Sequence, residues 1–110
     1  KILEKARISE ARLILNSMRT HGWERYYEIG QFADNWVGWG INEDNSGPIP
    51  WDCRPSHYFY YRISGEGPAG FIGTATRCTA GGKEPQSVNY FIRINVTLTG
   101  DTWSCTPGYC

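Results

Sequence analysis

The chain has 110 residues, room for one domain and little beyond it. Eleven basic residues balance eleven acidic ones, which removes any net charge that would draw the chain onto nucleic acid or an anionic membrane. Aromatics reach 15%, with five Trp and seven Tyr, enough large side chains for a small core, while thirteen Gly and six Pro announce many turns.

From Lys1 to about Ile29 there is no Pro and the only Gly is Gly22, in a stretch dominated by Leu, Ala, Arg, Glu, Lys and Met. That composition predicts one helix, about 43 Å long at ~1.5 Å per residue. Steps of 100° put Ile8, Ala11, Leu15, Met18, Gly22, Tyr26 and Ile29 on one face, the spacing of a stripe that packs on a core. A thinner stripe of Ile2, Ala6, Leu13 and Tyr27 lies almost opposite, separated from the first by Lys1, Lys5, Arg12 and Arg19 on one side and by Glu10, Glu24 and Glu28 on the other. A small domain covers one stripe with its own sheet. The second is either ordinary surface Leu and Tyr or a face sandwiched against other subunits.

Composition changes at Gly30. Up to about His57 the chain carries Gly30, Gly38, Gly40, Gly47, Pro48, Pro50 and Pro55, and among them Trp36, Trp39 and Trp51. Disordered segments are poor in aromatics, so a packed loop over 30–57 is expected. Strands follow at Tyr58–Ile63 and Phe71–Cys78, parted by Ser64-Gly65-Glu66-Gly67-Pro68. The clearest runs from Tyr90 to Leu98, where Tyr90, Ile92, Ile94, Val96 and Leu98 alternate with Phe91, Arg93, Asn95 and Thr97. A turn at Gly100-Asp101 leads into a short last strand, Thr102 to Cys105. The fold class expected is α+β: a long N-terminal helix packed on an antiparallel meander of three to four strands over 58–104, closed by a C-terminal disulfide loop at 105–110.

Four Cys without a Cys-x-x-Cys pair, and only two His, do not fit a zinc site. Disulfides fit, and they place the domain outside the cytoplasm. Of three open connectivities, the one adopted joins Cys105 to Cys110 in a small terminal loop and leaves Cys53 to pair with Cys78. No run approaches the ~18 apolar residues of a membrane helix, and no signal-peptide pattern appears. Because the chain opens at Lys1 inside what reads as a helix, a preceding segment is expected.

Nothing in the sequence supports catalysis. His21 and His57 lack a local nucleophile motif, the Cys belong in bridges, and neither a phosphate-cradling Gly loop nor a basic patch interleaved with aromatics is present. No cofactor is called for. Asn42, Asp44 and Asn45, within Asn42-Glu43-Asp44-Asn45-Ser46-Gly47, form a weak candidate calcium site, but the same residues make a plain turn, and the turn is the first reading. Asn95-Val96-Thr97 fits the N-glycosylation pattern in mid-strand, where chance accounts for it.

Ser9-Glu10-Ala11-Arg12-Leu13, followed by Glu24-Arg25-Tyr26-Tyr27-Glu28-Ile29-Gly30-Gln31-Phe32, resembles the segment of type IV pilins and pseudopilins in which an amphipathic helix ends in a Tyr-Tyr pair, a Gly and an aromatic. The order of parts is similar: helix, loop, meander, terminal disulfide loop. The resemblance implies a structural subunit rather than an enzyme, with Ile2, Ala6, Leu13 and Tyr27 facing a filament core and Ile8, Ala11, Leu15, Met18 and Tyr26 facing the subunit's own sheet. Residues 30–57 would be the lateral-contact αβ-loop, and Cys105–Cys110 would stand where the family has its D-region, although it is short for one. The family's methylated Phe, apolar run of ~20 residues and early Glu would precede Lys1 and anchor the precursor in the inner membrane. Expected partners are copies of the same chain, the pilus assembly machinery and the inner membrane. The expected location is an extracellular pilus serving adhesion, motility or DNA uptake, with no other nucleic-acid role. A type II secretion pseudopilin is the neighbouring alternative. A small secreted carbohydrate- or protein-binding module, with Trp36, Trp39 and Trp51 as stacking platforms, is the alternative of another class.

Overall fold

The computed structural model describes residues 2–32, 40–79 and 90–109. Lys1, Trp36, Trp39 and Cys110 lie outside the described residues, as do the side chains of Ile2, Leu3 and Glu4.

The fold is α+β: helix α1 (Ile2–Ile29), then strands β1 (Phe59–Ser64), β2 (Gly70–Arg77), β3 (Phe91–Thr97) and β4 (Gly100–Cys105). The strands form one antiparallel meander in the order β1-β2-β3-β4. At about 1.5 Å per residue the 28 residues of α1 run close to the whole 43 Å of the longest molecular axis.

Alternation along the strands sets the faces. Ile92, Ile94 and Val96 of β3 are buried, and Phe91, Arg93, Asn95 and Thr97 between them face outward. Phe59, Tyr61 and Ile63 on β1 and Phe71 and Ala75 on β2 join them in the core, and Ala11, Leu15 and Met18 on α1 close it. Gly73 lies beneath the helix at ordinary contact distance, with room for a methyl group. A Cβ built there would stand 3.5 Å from Leu15 Cδ2, 3.5 Å from Met18 Sδ and 3.4 Å from Ile94 Cγ2, and the helix sits on the sheet where β2 offers only backbone.

The last hairpin differs from the expected turn. Thr97 pairs with Gly100, so Leu98 and Thr99 form the turn and Gly100-Asp101 already belong to β4. The Thr97 hydroxyl donates to Gly100 O at 2.8 Å and accepts from Thr99 N at 3.3 Å, local bonds that a Gly-Asp reading overlooks. Leu98, expected on the buried face, is 48% exposed in consequence.

Residues 40–57 hold neither helix nor strand, only an isolated bridge between Ile41 and Ile49, yet they are packed: Ile41 and Pro50 are buried. This stretch covers the outer edge of β1, where Tyr61 N donates to Pro50 O at 2.9 Å and the Arg62 guanidinium donates to Trp51 O. The Cys53–Cys78 disulfide ties the same stretch to the end of β2, with Cα atoms 5.8 Å apart. Cys105 is disulfide-bonded as well. The C-terminal turn is held on the sheet by Tyr109, which is buried and stacked on Tyr90 at 4.9 Å.

Candidate functional site: the outer face of the helix

The two stripes of α1 have different fates. Ala11, Leu15, Met18 and Gly22 are buried, and Ile8 and Tyr26 are half-buried at the core's edge. Opposite them Ala6 is exposed, Leu13 is 69% exposed and Tyr27 79% exposed. Ile29 departs from its assignment: placed on the sheet-facing stripe, it is 45% exposed, in the last turn just before the Gly30 cap reverses the chain.

Helix termination shapes the lower end of this face. Gly30 adopts φ 79°, a conformation that carries a steric penalty for residues with a Cβ, and its N–H donates to Tyr26 O at 2.8 Å in the pattern of a left-handed helix cap. The cap reverses the chain, so that Phe32 N reaches Gly67 O at 3.0 Å and the fully buried Phe32 ring stacks on Tyr26 at 5.0 Å and meets Phe71 at 5.7 Å. Trp23 closes the cluster edge-on against Phe32 at 4.9 Å and reaches Tyr27 at 5.8 Å. The Tyr-Tyr-Glu-Ile-Gly-Gln-Phe segment is therefore a cap with an aromatic lock beneath it. Tyr26 serves the lock, and Tyr27 is left outside with its ring braced from one side.

The charged rows are not equivalent. Arg12 and Arg19 lie over β4: the Arg12 guanidinium stands 4.2 Å from the Trp103 ring, and Arg19 Nη1 donates to Asp101 Oδ2 at 2.8 Å. On the other flank Glu10 and Glu24 are exposed, and Arg25 meets Glu28 at 3.2 Å, one turn on. Arg12 and Arg19 thus orient the helix on its own sheet and are engaged within the domain, a role that sequence spacing did not reveal. The outer stripe between the rows stays uncovered.

The candidate calcium site is built as a turn. Asn45 (φ 65°) directs its side-chain oxygen inward to accept from Trp51 N at 2.9 Å, Asp52 N at 3.0 Å and Arg54 Nε at 3.1 Å. Asp44 Oδ1 accepts from Ser46 N at 3.0 Å and Ser46 Oγ at 2.5 Å, bonds that hold its carboxyl below its ordinary value of 3.8. Asn42 Nδ2 donates to Ser46 Oγ at 3.2 Å. The Asp44 and Asn45 oxygens expected to help surround an ion instead accept from N–H and O–H groups of the loop. Trp51 is not an open platform either. The Arg62 guanidinium lies 3.9 Å over its ring, and its indole N–H is buried without a partner among the described residues.

His21 lies with Glu24, Arg25, Tyr27 and Glu28 around a shallow depression on the exposed side of α1. His57 Nδ1 is hydrogen-bonded to its neighbour Ser56 at 3.0 Å. The two His are on different parts of the chain, His21 on α1 and His57 in the loop ahead of β1. No helix among the described residues is long and apolar enough to cross a membrane.

With this geometry in hand, comparison with models of known families, with curated proteins and with solved structures returns no match.

Proposed function

We propose that the chain is the globular part of a subunit of a bacterial type IV pilus, a structural protein rather than an enzyme. One observation carries the reading: a 28-residue helix buries one stripe on its own sheet and leaves Ala6, Leu13 and Tyr27 bare on the opposite side. A second apolar stripe kept apart from the first by charged rows is what a helix packed between its own sheet and other copies would present. In a filament that stripe meets the corresponding helices of other copies through head-to-tail contacts that do not close, and so generates a fibre. The packed loop at residues 40–57 would make lateral contacts, and an apolar segment ahead of Lys1 would anchor the precursor in the inner membrane. Surface exposure of the fibre is the setting that favours the Cys53–Cys78 bridge, which argues for a pilus subunit ahead of a secretion pseudopilin.

The test is proximity in the native cell. With Leu13→Cys in the full-length gene, a short bifunctional thiol reagent applied to surface filaments is expected to join neighbouring subunits into covalent dimers. Monomer alone, with the reagent shown to label the introduced thiol, would overturn the reading.

A further inference from the structure

The meander turns one face to α1 and the other away from it. Arg62, Thr74, Arg93 and Ser104 are successive partners across β1, β2, β3 and β4, all on the far face, so two guanidinium groups stand in one cross-strand row on either side of Thr74. Their backbones are roughly 10 Å apart, two strand spacings. The only carboxylate in the four strands, Asp101, has the opposite parity and pairs with Arg19 of the helix. The far face therefore carries two cations and no anion from its strands. This local charge stands out because the chain as a whole has none.

Both arginines are positioned rather than loose. Arg62 lies 3.9 Å from the Trp51 ring centroid and 4.8 Å from that of Tyr60, and its Nη1 donates to Trp51 O and, at 3.3 Å, to Tyr61 O. Arg93 lies 4.8 Å from the Phe91 centroid, and its Nε donates to Thr74 Oγ1 at 3.3 Å. Nη2 of Arg62 and both Nη atoms of Arg93 meet no acceptor among the described residues. Guanidinium groups fixed at their inner side with outer N–H groups unused are suited to oxyanions.

We propose that this face binds an acidic, carboxylate-bearing polysaccharide, with Arg62 and Arg93 taking the carboxylates and Thr74, Asn95 and Ser104 meeting the sugar hydroxyls. Two features favour this ligand over nucleic acid. The rings that a single strand would stack on are already covered by the protein's own guanidinium groups. Two cations are also few against the six to ten phosphate contacts typical of duplex binders, whereas neutral hydroxyl and amide side chains around them match a sugar chain. The site lies on the sheet face opposite the helix, and copies arrayed along a fibre would add avidity.

The assay is retention of the monomeric chain on alginate-coated and neutral dextran-coated sensor surfaces, with a single-stranded oligonucleotide surface as a third arm. Binding to alginate, absent on dextran and abolished by high salt, is expected. Arg93→Gln should weaken it about threefold and the Arg62→Gln/Arg93→Gln pair about tenfold, with Arg93→Lys between Arg93→Gln and the unaltered chain. Because Arg62 also holds the loop at Trp51, circular dichroism must show each variant folded; if the pair is not, the exposed Arg93→Gln decides alone. No retention on alginate, retention unchanged by Arg93→Gln, or stronger retention on the oligonucleotide would each overturn the proposal.

Discussion

Leu13 and Leu15 are two positions apart on α1 and belong to opposite worlds, so replacing each by alanine separates the two faces of the helix in one experiment. Leu15 is fully buried, with its Cδ2 3.5 Å from the point where a Gly73 Cβ would stand. Truncating a buried Leu costs about 2–5 kcal/mol, against a total stability of about 5–15 kcal/mol for a domain of this kind. Each kcal/mol moves the melting midpoint by roughly 4–8 °C at this size, so Leu15→Ala is expected to lower it by roughly 10–20 °C or more. Leu13 is 69% exposed, and Leu13→Ala is expected to change stability by no more than about 0.5 kcal/mol. Thermal melts followed by circular dichroism, repeated over a range of dilutions so that self-association does not enter, read the difference directly. Equal losses from the two variants would refute the assignment of faces, and with it the argument for an uncovered stripe.

Four further outcomes follow from particular contacts. A Cβ at Gly70 would collide with the Val96 carbonyl oxygen and lie 3.2 Å from Thr97 Cα, backbone that cannot move aside, so Gly70→Ala should cost about 1–3 kcal/mol in denaturant titration, while Gly73→Ala, at ordinary contact distances, should be close to neutral. Replacing Cys53 and Cys78 together by Ser opens a loop with a sequence separation of 25 and should cost about 3.5 kcal/mol by the chain-entropy relation; an unchanged unfolding midpoint would contradict it. Burial, with the charge of Glu10 acting in the same direction, pushes the Tyr61 phenol above its ordinary value of 10.0. Tyr61 therefore contributes its full stability below pH 10 and loses it as pH rises further, and Tyr61→Phe should shift the alkaline unfolding midpoint upward; an identical midpoint would refute this. Asn45→Ala removes one oxygen that satisfies two backbone N–H groups and the Arg54 guanidinium, so hydrogen exchange at Trp51 and Asp52 should accelerate, whereas addition of calcium should leave the unaltered chain's melting midpoint where it is.

The strands were legible because their signal is periodic. β3 carries Ile92, Ile94 and Val96 at every second place, the period that marks a half-buried strand. The helix was legible from composition and spacing, and so was the division of Leu13 from Leu15. What escaped notice rests on backbone bonds and on distant side chains. Neither the Pro50 carbonyl capping the edge of β1 nor the Arg12 and Arg19 contacts to Trp103 and Asp101 has any local pattern. The Asn42, Asp44 and Asn45 cluster, read first as a turn, left the calcium alternative open because ligands for a cation and acceptors for a turn are the same residue types, and the direction of the Asn45 oxygen is not written in the sequence. Ile29 follows the helical period of the buried stripe yet is exposed in the last turn, and periodicity alone does not say where along a helix packing stops. The far face of the sheet was invisible for a simpler reason. Arg62 and Arg93 are 31 positions apart in a neutral chain, and only the register of three strands brings them into one row.

The most direct measurement of the central claim is negative-stain electron microscopy of cells carrying the full-length gene with Leu13→Lys and Tyr27→Lys together. Both side chains are exposed in the single subunit, so the variant should fold and accumulate in the membrane as the unaltered protein does, while a charge buried between helices should block assembly. Normal subunit levels with surface filaments lost are the result the account predicts. Filaments of normal number and length would contradict it.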